Sequence, residues 1–338
     1  MVGQIVKRFV LAGLIAAILL STGKRVQAET DHVKVAMQFG LAYLPLMIME
    51  HDHLWEKHAE TRGIKLHVDY ARLGGGAGLN DALLSDSVEM VAGGLAPMLL
   101  MWDRTTSSAK VAGIAALNAS PIDVLTNRPN VKSVADLTPE DRIAVPAIKT
   151  SIQAIALMAA AEKAFGPGQA NHLDGLTLTM QHPDALIALT TRSSQITAYV
   201  SSSPFQEIAL KSPGITKLTD STAAFGGLTT LGVVYAKSQF PTTNPKVMEA
   251  FYAALREAIA MIADRRDTAI DEYLELTREK TDRALIAEIM GRPDFQYGVD
   301  PVGTLTVAQL MHRYGLLKQQ PASWKDYFAE PLHTGKGS

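Results

Sequence analysis

The 338-residue chain contains no cysteine. That excludes thiolate nucleophiles, disulfides, thiolate metal sites and lipid attachment through a cysteine. Charge is scarce and nearly balanced, at 20% of residues, with 32 Lys+Arg against 34 Asp+Glu and a formal net charge of -2. Residues 1–28 carry Lys7, Arg8, Lys24 and Arg25 and no acid, so the remainder holds 28 basic residues against 34 acidic ones, a net of -6. A mildly acidic surface argues against general nucleic-acid binding, which needs a concentrated basic face. No apolar run reaches the roughly 20 residues that cross a bilayer core. The hydrophobic content is 47%, which places the chain among globular proteins. At roughly 150 residues per domain the length suggests two domains.

The N-terminus reads as an address. Lys7-Arg8 precedes twelve apolar residues, Phe9–Leu20, and then Ser21-Thr22 and Val26-Gln27-Ala28. This is a charged region, a short apolar region and a cleavage site after Ala28. Residues 1–28 are therefore expected to be a signal peptide. The mature protein would be free in a periplasm, with no cysteine to lipidate.

Beyond it, short strand patterns alternate with helix starts marked by Pro and Gly. Strands are expected at Val33–Phe39, Ile64–Ala71, Val88–Ala92 and Val111–Leu117, with a helix from Pro45 to about His58. The pattern restarts with strands at Asp123–Thr126, Arg142–Val145, Leu176–Gln181 and Gln195–Val200, and Leu231–Ala236 returns as one more. From Pro245 the chain turns helical: Val247, Phe251, Leu255, Ile259 and Ile262 line one face of a long helix. Further helices are expected at Asp267–Leu276, Asp282–Met290 and Leu305–Tyr314. This is an α/β protein with parallel elements. No flexible linker divides it, so its units are joined by strands or tight crossings.

Catalytic motifs are missing. There is no Gly-x-Ser-x-Gly elbow, no phosphate loop and no His-Glu-x-x-His helix. Gly74–Gly78 does not have dinucleotide spacing. His51, His53 and His58 do not stack one turn apart, so no metal site is expected, nor any cofactor. The expectation is a protein that binds without being an enzyme.

What remains are helix starts after strands, where free backbone N–H groups and the helix dipole favour anions. Gly74–Gly78 lets the backbone approach a ligand, or simply makes a turn. Lys149-Thr150-Ser151 offers an ammonium and two hydroxyls, or an ordinary cap. Ser201-Ser202-Ser203-Pro204 offers three hydroxyls at another start, and Phe39 and Tyr43 could wall an apolar pocket.

In this order the segments resemble the periplasmic solute-binding proteins of ABC importers in the nitrate/sulfonate/taurine group, which includes binders of thiamine-precursor pyrimidines. The resemblance rests on Leu44-Pro45-Leu46, on Gly74–Leu84 followed by Val88–Gly94 and Leu95-Ala96-Pro97, on Val131–Leu137 and Arg142–Pro146, on Ala188–Phe205, and on Asn244-Pro245-Lys246-Val247. Departures at Asp86, Glu89, Ser194, Thr197 and Ala147–Ser151 bear on the ligand rather than the fold.

The resemblance implies a two-lobed type II periplasmic-binding fold with two crossing strands. One lobe would be 29–118 plus 230–338 and the other 119–229. It implies a ligand held between Phe39, Tyr43, Gly75, Gly76 and Leu95 on one side and Lys149, Thr150, Ser151, Ser203 and Phe205 on the other, with Thr229 near a crossing. Hinge closure around a small organic anion and delivery to an inner-membrane permease by a monomer would follow. Lys149 is expected to contribute about 1–3 kcal/mol to such an anion. The alternatives are a neutral or aromatic ligand, such as a pyrimidine stacked on Tyr43 or Phe205, and a sensing module for a membrane receptor.

Overall fold

The computed structural model describes residues 28–278 and 281–338; the expected signal segment, except Ala28, lies outside the described residues. Eleven strands are described: β1 (His32–Met37), β2 (His67–Arg72), β3 (Met90–Gly94), β4 (Val111–Ala119), β5 (Asp123–Thr126), β6 (Ile143–Val145), β7 (Thr177–Thr179), β8 (Ala198–Ser201), β9 (Thr216–Asp220), β10 (Thr230–Lys237) and β11 (Gln296–Tyr297). They form two sheets, ordered β11-β4-β10-β3-β1-β2 and β7-β6-β8-β5-β9. Within the first, β1 pairs parallel with β2 and β3, and β10 is inserted antiparallel between β3 and β4. The second repeats the scheme, with β6 parallel to β7 and β8, and β5 antiparallel between β8 and β9.

The central strands are buried on both faces and read as unbroken apolar runs, as parallel sheets covered by helices require. Ala36, Val91, Ala92, Val233, Val234 and Tyr235 are wholly buried in the first sheet, as are Ala144, Tyr199 and Val200 in the second. The long helix Pro245–Asp264 appears as expected and packs its Phe251 edge-on to Trp55 at 5.0 Å. Trp55 also donates its indole N–H to the Val247 carbonyl at 2.9 Å.

Three features depart from the sequence reading. The helix expected from Pro45 to His58 is two helices, Leu44–His51 and Leu54–Glu60, broken where His53 takes φ 51 in the left-handed region. Strands β9 and β11 carry no apolar run of their own and were not anticipated. The chain passes between sheets twice, as expected, but only Ser120–Ile122 is a direct passage from strand to strand, whereas the second runs through the helix Ser221–Phe225 and the segment Gly226–Thr229. The two passages are tied together: Ile122 N–H donates to Ser221 Oγ at 2.9 Å, and Ser221 N–H donates to the Ile122 carbonyl at 2.8 Å.

Candidate functional site

The first sheet sends three chain segments toward the second from the carboxyl ends of its parallel strands. β1 leads to Gln38 and a 3-10 turn, Leu41–Tyr43. β2 leads to Gly75 and the helix Gly76–Leu84, and β3 to Gly94 and the helix Leu95–Thr105. The second sheet answers in kind. β6 leads to Pro146 and the helix Ile152–Phe165, β7 to Gln181 and the helix His182–Thr190, and β8 to Ser202 and Ser203. Residues from all six strand ends line one cavity between the sheets. Its volume is about 20 Å³, counted as space open to the centre of a water molecule. One water needs about 10–15 Å³ by that measure, so the walls are nearly closed on each other.

The two walls meet directly. Leu41 N–H donates to the Ser203 carbonyl at 3.3 Å. A Cβ on Gly74 would lie 2.8 Å from the Gln181 side chain, so glycine there lets the walls approach. Beneath Ser203, Glu207 accepts from the Ser203 hydroxyl at 2.8 Å and from Arg292, which stands after the helix Arg283–Gly291, at 2.7 Å. Glu162 ties the helix Ile152–Phe165 to Arg313 and, at 3.0 Å, to the Tyr314 hydroxyl.

The polar groups of the lining are neutral. Gln38 accepts from the Tyr43 hydroxyl at 2.9 Å and from Gly94 N–H at 3.1 Å, which fixes its carbonyl. Its amide nitrogen has no protein partner among the described residues, and neither does the side-chain amide of Gln181. His182 is held by Gln153 at 3.2 Å, by Ser202 Oγ at 3.3 Å and by the Tyr199 hydroxyl, and it stacks on Phe205 with centroids 5.3 Å apart. Burial pulls its pKa down to about 4, so the ring is neutral at physiological pH. Burial also holds the Tyr43 hydroxyl protonated. Among the described residues no Lys or Arg lines the cavity. Four helices start at its wall, at Gly75, Gly94, Ile152 and His182, and a helix N-terminus is equivalent to about half a positive elementary charge.

Of the residues named from sequence, Phe39, Tyr43, Gly75 and Ser203 line this cavity. Four others stand directly behind it. Gly76 packs on Pro97, and Leu95 follows Gly94 and is wholly buried. Ser151 caps the helix that supplies Ile152 and Gln153, and Phe205 supports His182. Thr150 N–H closes a turn on Ala147, and Thr229 donates to the Gly227 carbonyl at 3.3 Å, near the second passage between sheets. Lys149 is placed differently from the clamp expected of it. Its ammonium pairs with Asp174 at 2.9 Å, its side chain is half exposed, and it is not part of the lining.

Sequence reasoning missed Gln38, Gly94, Gln153, Gln181 and His182. The rule that found Gly75 and Ser203, a polar or small residue where a strand gives way to a helix, would have found them too. The histidines His51, His53 and His58 each go to a different acid: Asp52, Glu56 and Glu257. Two groups of side chains could hold a metal ion, His32 with His67 and Asp69, and His51 with Asp52 and Glu272. Neither lines the cavity.

Solved structures share this arrangement along nearly their whole length. The alkanesulfonate-binding protein SsuA of Xanthomonas axonopodis pv. citri, bound to MOPS, superposes with a TM-score of 0.70 at 17% identity, over 87% of this chain and 96% of that one. The periplasmic nitrate-binding protein NrtA of Synechocystis PCC 6803 gives 0.66 at 13% identity, over 88% and 84%. A Candida albicans gene product described as exhibiting the generic periplasmic binding protein structural fold gives 0.67 at 14%, over 89% and 96%. The chain has the two-lobed periplasmic-binding-protein fold. No family model matches the sequence, and no curated protein matches it. Among the described residues no helix is long and apolar enough to cross a membrane.

Proposed function

We propose that this chain is the solute-binding component of an ABC importer of the nitrate/sulfonate/taurine group. It would act in the periplasm and pass a small anion to a membrane permease. The carrying observation is the convergence of four helix starts, with unspent Gln38 and Gln181 amides, on one cavity between two sheets that the chain links by two crossings. Residues 29–118 plus 230–338 form one lobe and 119–229 the other, with the hinge at Ser120–Ile122 and Gly226–Thr229. The ligand binds one wall first. Contacts to the second wall then favour the closed form, because only there do both sets of donors reach it.

The cation-free lining refines the ligand. Helix dipoles and neutral N–H and O–H donors suit a single diffuse charge, as on nitrate, bicarbonate or a sulfonate head group. The tight enclosure favours an occupant of few atoms over a pyrimidine or a long alkyl chain. The mechanism asks no residue to make or break a bond, so a transport role is proposed rather than an enzymatic one.

A thermal-shift screen tests this with nitrate, bicarbonate, short sulfonates, small carboxylates and pyrimidines. A ligand at 100 times its dissociation constant should add about 2.7 kcal/mol to stability, a rise of several degrees in Tm. Stabilisation by one small-anion class supports the reading. Stabilisation by pyrimidines alone, or by nothing in the panel, contradicts it.

A further inference from the structure

On the solvent face of β1 and β2, at the end of those strands remote from the cavity, two imidazoles and a carboxylate converge. The parallel register sets His32 directly opposite His67 and Lys34 opposite Asp69. Side chains on a strand alternate faces, so His67 and Asp69, two residues apart, project to the same side, beside His32. The contacts follow. His32 Nε2 lies 2.8 Å from one Asp69 oxygen, and His67 Nε2 lies 3.2 Å from the other. The two rings stand 5.3 Å apart and tilted by 31°. All three donor atoms fall within 4.8 Å of one another.

We infer that His32, His67 and Asp69 form a surface binding site for a divalent transition-metal ion of the zinc class. Zinc–nitrogen and zinc–carboxylate bonds are near 2.0–2.2 Å, so donors around one tetrahedral ion stand about 3.3 Å apart. The two imidazole–carboxylate contacts, at 2.8 and 3.2 Å, lie within about half an ångström of that spacing, and the two imidazole nitrogens, within 4.8 Å of each other, would draw together on the ion. Two imidazoles with one carboxylate are a borderline donor set, which prefers zinc, nickel or copper over calcium or magnesium. All three side chains are solvent-exposed, which leaves a fourth position open to water. Two hydrogen-bonded strands hold the donors, so most of the ordering is done before the ion arrives.

The ion would clip the edge strand β2 to β1. It would sit about 20 Å from the ligand cavity, since six residues of strand at about 3.3 Å each separate His32 from Gln38. This inference does not depend on the proposed transport role.

The test is isothermal titration of the untagged full chain with zinc chloride, repeated with magnesium chloride. The wild type should take up one zinc per chain with a micromolar dissociation constant and no magnesium. His32→Ala and His67→Ala should each weaken zinc binding at least about tenfold, as losing a ligand must when losing a supporting partner already costs that much. Far-UV circular dichroism should show both variants folded. Glu272→Gln alters the other candidate cluster and should leave the affinity unchanged. Failure of the wild type to bind zinc saturably would overturn the inference, and so would full affinity in either histidine variant or loss of binding in Glu272→Gln.

Discussion

The two walls of the cavity come from similar βα units but contribute different things. The wall built on the first sheet offers glycines, apolar and aromatic side chains and one amide: Gly75, Gly94, Phe39, Tyr43, Leu231 and Gln38. The wall built on the second sheet offers mostly polar side chains: Gln153, Gln181, His182, Ser202 and Ser203. On the proposed function the first wall would supply shape and backbone donors, which any small anion can use. The second would supply directed hydrogen bonds, which choose among anions. A sequence change on the first wall should therefore act through packing, and one on the second through polarity and pH.

The largest expected effect is a pH effect on the second wall. His182 has a folded pKa of about 4 against 6.5 when unfolded, so between those values the unfolded chain binds a proton that the folded chain refuses. Its contribution is present above about pH 6.5 and is lost as pH falls toward 4, up to about 3 kcal/mol. Urea unfolding of the wild type and His182→Gln across pH 4–7 should show this part of the slope flattened in the variant. Equal slopes would place the ring in water rather than in the wall.

Next comes the first wall. A Cβ on Gly76 would stand 2.3 Å from Pro97 Cγ, a ring that cannot swing aside. Gly76→Ala should cost about 2 kcal/mol in urea unfolding, at an unchanged pH profile.

Glu207 joins the walls. Glu207→Gln weakens the bond to Arg292, which is nearly one-third exposed, and should cost about 1–2 kcal/mol of closed-state stability. Small-angle scattering with saturating ligand should then show a more open particle than the wild type, and an identical profile would remove the pair from closure.

The smallest effect is expected at Lys149. Its exposed pair with Asp174 is worth at most about 1 kcal/mol to stability. Lys149→Ala should change ligand affinity by less than about twofold.

Much of the fold was legible because proline and glycine punctuate it. Pro97, Pro183 and Pro245 stand within the first turn or so of real helices, and the apolar runs of β3, β4 and β10 are buried except at Ala112. The break at Asp52-His53 was not legible, because a histidine in the left-handed region carries no signal, unlike a glycine. Of the candidate site, the sequence offered a set of strand-to-helix positions, four of which line the cavity. Lys149 misled because the partner that takes its charge, Asp174, lies 25 residues further along the chain, and only the fold brings them together. Gln38 and Gln181 also stand where a strand gives way to a helix or turn, and they were passed over because only glycines, hydroxyls, aromatics and a cation were sought there.

The central claim is that uncharged donors, and not a cation, hold the ligand. It is tested most directly by calorimetric titration of Gln181→Ala and Lys149→Ala, side by side with the wild type, using the anion that the thermal screen identifies. The account predicts that Gln181→Ala binds at least about tenfold more weakly, the scale of one hydrogen bond to a charged group, while Lys149→Ala binds like the wild type. The reverse pattern, with Lys149 essential and Gln181 dispensable, would contradict it.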